Sequence, residues 1–114
     1  MYIDSYQFGS IIIDGKTYTN DCIITADKVL SDWWRKHGHL LTAEDIKPII
    51  EFKPSILIVG SGASGMMKIA EDIRHILQEI NIELLVFNTE KAVTKFNELT
   101  DKGENVAAVL HLTC

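Results

Sequence analysis

Residues 60–65 read Gly60-Ser61-Gly62-Ala63-Ser64-Gly65, a G-x-G-x-x-G that directly follows the apolar run Ile56-Leu57-Ile58-Val59. After a strand and before a helix, such glycines let backbone amides approach a pyrophosphate. Three features weigh against a full dinucleotide site. The dinucleotide pattern wants an acidic residue at the end of the next strand, where Asn88 stands after Phe87. Acidic Glu71 and Asp72 suit a helix starting near Ala70, which makes residues 61–69 a long loop. Three strands also supply only half of a two-nucleotide platform. Three readings stay open: a plain strand-to-helix connection, a cradle for a small anion or mononucleotide, and a dinucleotide site. For the ligand readings the candidates are Gly60, Ser61, Gly62, Ser64, Gly65 and Lys68, with Asn88 at the end of the following strand.

The remaining chemistry-bearing residues form weaker constellations. His111, Thr113 and Cys114 sit together, but alternation in a strand places His111 opposite Cys114, and a thiol nucleophile needs its base within hydrogen-bond reach. The expectation is a hydrogen-bonded His111 and a packed Cys114. His37 and His39 lack a recognisable third ligand for zinc, so no metal is expected. Trp33-Trp34-Arg35-Lys36 sets aromatics beside cations, as base-stacking proteins do, yet a buried tryptophan with solvated cations suits an acidic chain better. Met66 and Met67 suggest an apolar patch and, with it, a homodimer.

These residues need elements to hold them. Tyr6 and Phe8 alternate with polar residues, and Ile11-Ile12-Ile13 and Lys16-Thr17-Tyr18-Thr19 flank Asp14-Gly15. An Asp-Gly pair between β-rich runs predicts a hairpin with a type I′ turn. Cys22-Ile23-Ile24-Thr25 reads as a third strand of this N-terminal layer, with Val29 and Leu30 as an extension. Thr42 and Asp45 are spaced like a capping box before a short helix that carries Ile46, Ile49 and Ile50, with Pro48 near its start. From residue 56 onward, apolar strands at 56–59, 83–87 and 106–112 alternate with helices whose inward faces are Ile69, Ile73, Ile76, Leu77 and Ile80, then Ala92, Val93, Phe96 and Leu99. Strands apolar on both faces and separated by helices predict a parallel βαβαβ unit with right-handed crossovers. The expected fold is α/β in three layers, with a mixed central sheet, a parallel C-terminal part and an antiparallel β-rich N-terminal layer, in one domain over 1–114.

Composition narrows the function classes. The chain has 114 residues, 46 per cent hydrophobic and 24 per cent charged, which suits an ordinary globular domain. Eleven basic residues against 16 acidic ones give a net charge of −5, a poor start for nucleic-acid binding. No apolar run approaches the ~20 residues of a spanning helix, so no membrane partner is expected. Two cysteines and no leader-like N-terminus predict a cytoplasmic protein with free thiols.

Several of these residues together resemble a known family. They are Phe8-Gly9, Trp34 with Gly38-His39, and Pro54 followed by Ile58-Val59-Gly60-Ser61-Gly62. Ala92 with Phe96-Asn97-Glu98-Leu99, and Leu110-His111-Leu112-Thr113-Cys114, complete the set. Over nearly its whole length the chain resembles the small-domain family of the adipogenesis-associated domain protein and the mitochondrial respiratory complex I assembly factor. Relatives typically carry Thr at the position of Ser61 and often Pro at that of Ala70, which supports a late helix start. The resemblance implies a three-layer fold with a mixed sheet and no established activity, metal or cofactor. It also implies eukaryotic relatives that assemble or regulate other proteins. The sequence thus points to a cytosolic, non-catalytic binding or assembly-type module with an unidentified protein partner. The alternative is a protein that binds, or acts on, a small anion or nucleotide through the glycine loop.

Overall fold

In a computed structural model, residues 1–31, 33 and 39–114 are described. Trp34, Arg35, Lys36, His37 and Gly38, which carried the stacking, metal and part of the family readings, lie outside the described residues.

The N-terminal layer is the antiparallel meander β1 (Ile3–Gln7), β2 (Ser10–Ile13) and β3 (Lys16–Tyr18). Asp14 and Gly15 join β2 to β3 with φ of 48° and 80°, the two left-handed residues a type I′ turn demands. Ile3, Ile11 and Ile13 point inward and are buried. The outer edge of β1 is closed by one side chain. Asn97 accepts from the Ile3 amide through Oδ1 (2.9 Å) and donates to the Ile3 carbonyl through Nδ2 (2.9 Å), as a neighbouring strand would.

Strand β4 (Cys22–Ile24) departs from the sequence reading. It leaves the N-terminal layer and enters the central sheet, antiparallel to β10 (Val106–Leu110). Its unbroken run Cys-Ile-Ile needs apolar partners on both faces, which only a central sheet provides. Cys22 and Ile24 face one core and Ile23 the other. With β5 (Val29–Leu30), β7 (Ile56–Gly60) and β9 (Glu83–Phe87), the sheet has five strands in the order β5-β4-β10-β7-β9. The β10-β7-β9 part is parallel.

Alternation sends Ile56, Ile58, Val106, Ala108 and Leu110 to one face, against the meander and α3 (Thr89–Asp101). Leu57, Val59, Ala107 and Val109 face the other, with Ile73 and Leu77 of α2 (Glu71–Glu79). Three layers result. The crossover β7-α2-β9 and the crossover β9-α3-β10 run in opposite directions along the sheet, so right-handedness puts their helices on opposite faces.

The second face also holds Leu41, Ile46 and Ile49. Glu44–Ile46 form a 3₁₀ turn that continues into α1 (Lys47–Ile50), with Pro48 at the start of the helix, where its missing N–H costs nothing. The Asp45 carboxylate accepts from the Thr42 amide (2.8 Å) and hydroxyl (2.9 Å), which is only half of the expected capping box. The Asp45 amide bonds the Thr42 carbonyl (3.0 Å) instead of its hydroxyl, and the turn starts from Ala43 without a side-chain cap. Trp33 is half-buried, its indole N–H on the Asp45 carbonyl (3.2 Å). One pairing went unforeseen: β6 (Leu40–Leu41) and β8 (Lys68–Ile69) form a short parallel ladder that straps the long loop after β7. Strand β10 also ends at Leu110 rather than at residue 112.

Cys22 is fully buried, and burial first, then the negative charge of Asp21, pushes its thiol up to about 12 from an ordinary 9.0. An unfolded thiol ionises above pH 9 while the folded one stays protonated, so this group's stabilisation is complete below pH 9. It falls as pH rises toward 12, by a few kcal/mol in order of magnitude. Denaturant titrations between pH 8.5 and 10.5 are expected to show a steeper alkaline loss for the native chain than for Cys22→Ala. A thiol reagent at neutral pH is expected to label exposed Cys114 and spare Cys22.

Candidate functional site

Open α/β sheets bind ligands outside the carboxyl ends of their strands, where the strand order reverses. Here that point lies between β7 and β10, and both the glycine loop and residues 111–114 emerge there.

The loop's amides are used internally. Ser61 N donates to the Phe87 carbonyl (2.9 Å), Gly62 N to Thr89 Oγ1 (2.9 Å), and Ala63 N to the Thr113 carbonyl (2.7 Å). Gly65 N reaches the Gly62 carbonyl (3.1 Å), Met66 N the Cys114 carbonyl (3.0 Å), and Met67 N the Ser61 carbonyl (3.0 Å). Lys68 N donates to the His39 carbonyl (2.7 Å) in the β6-β8 ladder. An anion at these amides would have to displace bonds already made.

Two glycines are fixed by packing. A Cβ on Gly62, whose φ is +107°, would collide with the carbonyl carbon and oxygen of Cys114 and stand 2.9 Å from His111 Cδ2. A Cβ on Gly60 would meet Leu110 Cδ2 at 2.9 Å and Thr89 Oγ1 at 3.1 Å. The close approach these glycines permit is to the protein's own chain.

The other sequence candidates have structural partners too. Ser61 is buried, and its hydroxyl donates to the Phe87 carbonyl (3.0 Å). Asn88 is the N-cap of α3, its Oδ1 accepting from Lys91 N (2.9 Å). Ser64 is exposed and Gly65, at φ +67°, half-buried at the loop tip; Lys68 is exposed on β8. Helix α2 begins at Glu71 with Ala70 as its N-cap, the late start anticipated from the acidic first turn. Met67 is 97 per cent buried, so the expected Met66–Met67 patch reduces to Met66 alone. Cys114 is exposed rather than packed.

Two residues that hold this region escaped the sequence reading. Thr89 is fully buried, and its hydroxyl donates to the His111 carbonyl (2.6 Å) while accepting from Gly62 N. Asp21 accepts from Leu112 N through Oδ1 (2.8 Å) and meets His111 Nδ1 through Oδ2 (2.7 Å). Nothing in the sequence around Asp21 or Thr89 marks a long-range partner. The His39 ring stands edge-on to His111 at 5.9 Å. The Tyr6 hydroxyl donates to the Leu112 carbonyl (2.8 Å), and Gly9 N does so too (2.8 Å), so the meander clamps residues 111–114 from the far side. Burial, then Asp21 and Glu90, push the Tyr6 pKa up, against a hydrogen bond with Thr89. Among the described residues, no three His, Cys, Asp or Glu side chains cluster as metal ligands, and no helix is long and apolar enough to cross a membrane.

An α/β domain whose strand-end crevice is closed by residues 113 and 114 of the same chain is the class that fold and site define. The chain belongs to the DUF498/DUF598 family of proteins of unknown function, whose model matches residues 3–111. It is similar to the solved protein MT938, at 28% identity over 99% of this chain and 98% of that one, with a TM-score of 0.83. It is similar also to a conserved hypothetical protein of Pyrococcus horikoshii OT3, at 26% identity over 100% of both chains, with a TM-score of 0.89. A Bordetella pertussis protein described as an Mth938-like domain shares the fold at 15% identity, over 97% of this chain and 85% of that one, with a TM-score of 0.74.

Thr89→Val keeps the shape but leaves the Gly62 amide and the His111 carbonyl without the bonds Thr89 made, at a cost of about 2–4 kcal/mol. Thr89→Ser keeps both bonds and is expected to cost about 1 kcal/mol. Gly62→Ala, strained and colliding with backbone, is expected to cost on the order of 3 kcal/mol. Chemical denaturation of the three variants checks this order.

Proposed function

We propose that the chain is a cytoplasmic, non-catalytic binding module of assembly type, one domain over residues 1–114, acting through its surface on a protein partner. The observation that carries this reading is the filled crevice. Residues 113 and 114 accept from the amides of Ala63 and Met66, at the place where a doubly wound sheet would otherwise receive a ligand. The likeness of Ala92, Phe96-Asn97-Glu98-Leu99 and Leu110 through Cys114 to the adipogenesis-associated and complex I assembly proteins supports the same reading. Fold kinship alone carries no function, so the reading rests on the closed crevice.

The small-ligand reading of Gly60, Ser61, Gly62, Ser64, Gly65, Lys68 and Asn88 requires residues 113 and 114 to leave the loop first. A thermal-shift titration with NAD, NADP, FAD, adenine and guanine nucleotides and inorganic phosphate separates the two. A ligand at 100 times its Kd adds about 2.7 kcal/mol, and each kcal/mol moves Tm by roughly 4–8 °C in a small domain. The module reading expects no shift from any of them. A shift of several degrees that vanishes in Ser64→Ala/Lys68→Ala would replace it with a ligand site.

A further inference from the structure

The two edges of the central sheet differ. Strand β5 at one edge has two residues, too short to template pairing with another chain. Strand β9 at the other has five, Glu83-Leu84-Leu85-Val86-Phe87, with no proline, no bulge and no charge after its first residue. Among the described residues no strand pairs with its outer side. Leu84 and Val86 on the α2 face, and Leu85 and Phe87 on the α3 face, are all only half-buried. Neither helix therefore covers the edge. Folded proteins normally blunt such edges with charge, proline or a covering element, because bare apolar edges associate.

The surface beside β9 indicates what associates. A groove of about 420 Å³ lies along the outer side of α3 and reaches the end of β9 at Phe87, lined also by Glu90, Lys91, Lys95 and Glu98. Its two acids and two bases balance, so it favours neither an acidic nor a basic peptide. It does complement itself. Helix α3 runs antiparallel to β9, so residues 94–95 lie level with the middle of the strand, given ~3.3 Å per strand residue and 1.5 Å per helical residue. A twofold axis through Leu85, perpendicular to the sheet, pairs Leu84 with the partner's Val86 and sets the partner's Leu85 opposite Leu85. The same axis brings Lys91 opposite the partner's Glu98, and Glu98 opposite the partner's Lys91. Helix α3 packs across β7 and β10. With adjacent strands ~4.8 Å apart, the two helices would stand about 19 Å apart, a gap that opposed lysine and glutamate side chains bridge when both are extended.

We infer that β9 is a homodimer interface, through which two copies of this chain join edge to edge, antiparallel about Leu85, into one ten-stranded sheet. This rests on the edge strand and the charge order of α3, and is independent of the closed crevice.

The test is solution mass by sedimentation equilibrium, with circular dichroism as the check on folding. The native chain is expected at twice 12.8 kDa. Lys91 and Glu98 are exposed, so reversing either leaves the fold intact. Lys91→Glu or Glu98→Lys alone turns two symmetric attractions into repulsions and is expected to weaken the dimer roughly tenfold or more; the double exchange is expected to restore it. In a Cys114→Ser background, Leu85→Cys is expected to form an intermolecular disulfide on mild oxidation. A monomer at all concentrations would overturn the inference. So would a dimer indifferent to the single reversals, or one that the double exchange fails to rescue.

Discussion

One hydroxyl ties together the carboxyl ends of all three parallel strands. Thr89 lies two residues beyond β9; its side chain accepts from Gly62, just beyond β7, and donates to His111, just beyond β10. A buried group with both bonds made is stabilising, while the same group half-made is costly, so this junction admits one arrangement of three chain segments. The consequences spread outward. Gly62 must lie against Cys114, His111 is held where Asp21 can reach it, and residues 112–114 run between the glycine loop and the Gly9 turn.

The topology explains why this junction matters for function. Strand order β10-β7-β9 sends the first crossover one way and the second the other, which opens a crevice between β7 and β10 in any right-handed doubly wound sheet. In many such folds a cofactor's phosphates fill it. Here the protein's own carbonyls at 113 and 114 take the amides that phosphates would take. A G-x-G-x-x-G is thus compatible with two opposite outcomes, because glycine permits close approach without specifying what approaches.

The elements were legible where periodicity was strong and local. The Asp14-Gly15 hairpin, the strand at 83–87 and the late start of α2 all follow from patterns spanning fewer than ten residues. What escaped were pairings between distant segments. The apolar run of β4 fits a meander or a central sheet equally well, and only its register against β10 decides. Asp21 and His111 are 90 residues apart, and nothing near either one announces the other. The β6-β8 ladder is two residues long, below any periodic signal. Met66 and Met67 looked alike in sequence, yet burial of one and exposure of the other follows from which side of the strapped loop each occupies.

The central claim is that the loop's amides belong to the fold rather than to a ligand, and amide hydrogen exchange on the unliganded protein tests it directly. The account predicts that Ala63 and Met66 exchange slowly, with protection approaching that of Val109 in the core, since their acceptors are the carbonyls of Thr113 and Cys114. Exchange at both amides near the rate of an unstructured chain would contradict it, because the crevice would then stand open to whatever it binds.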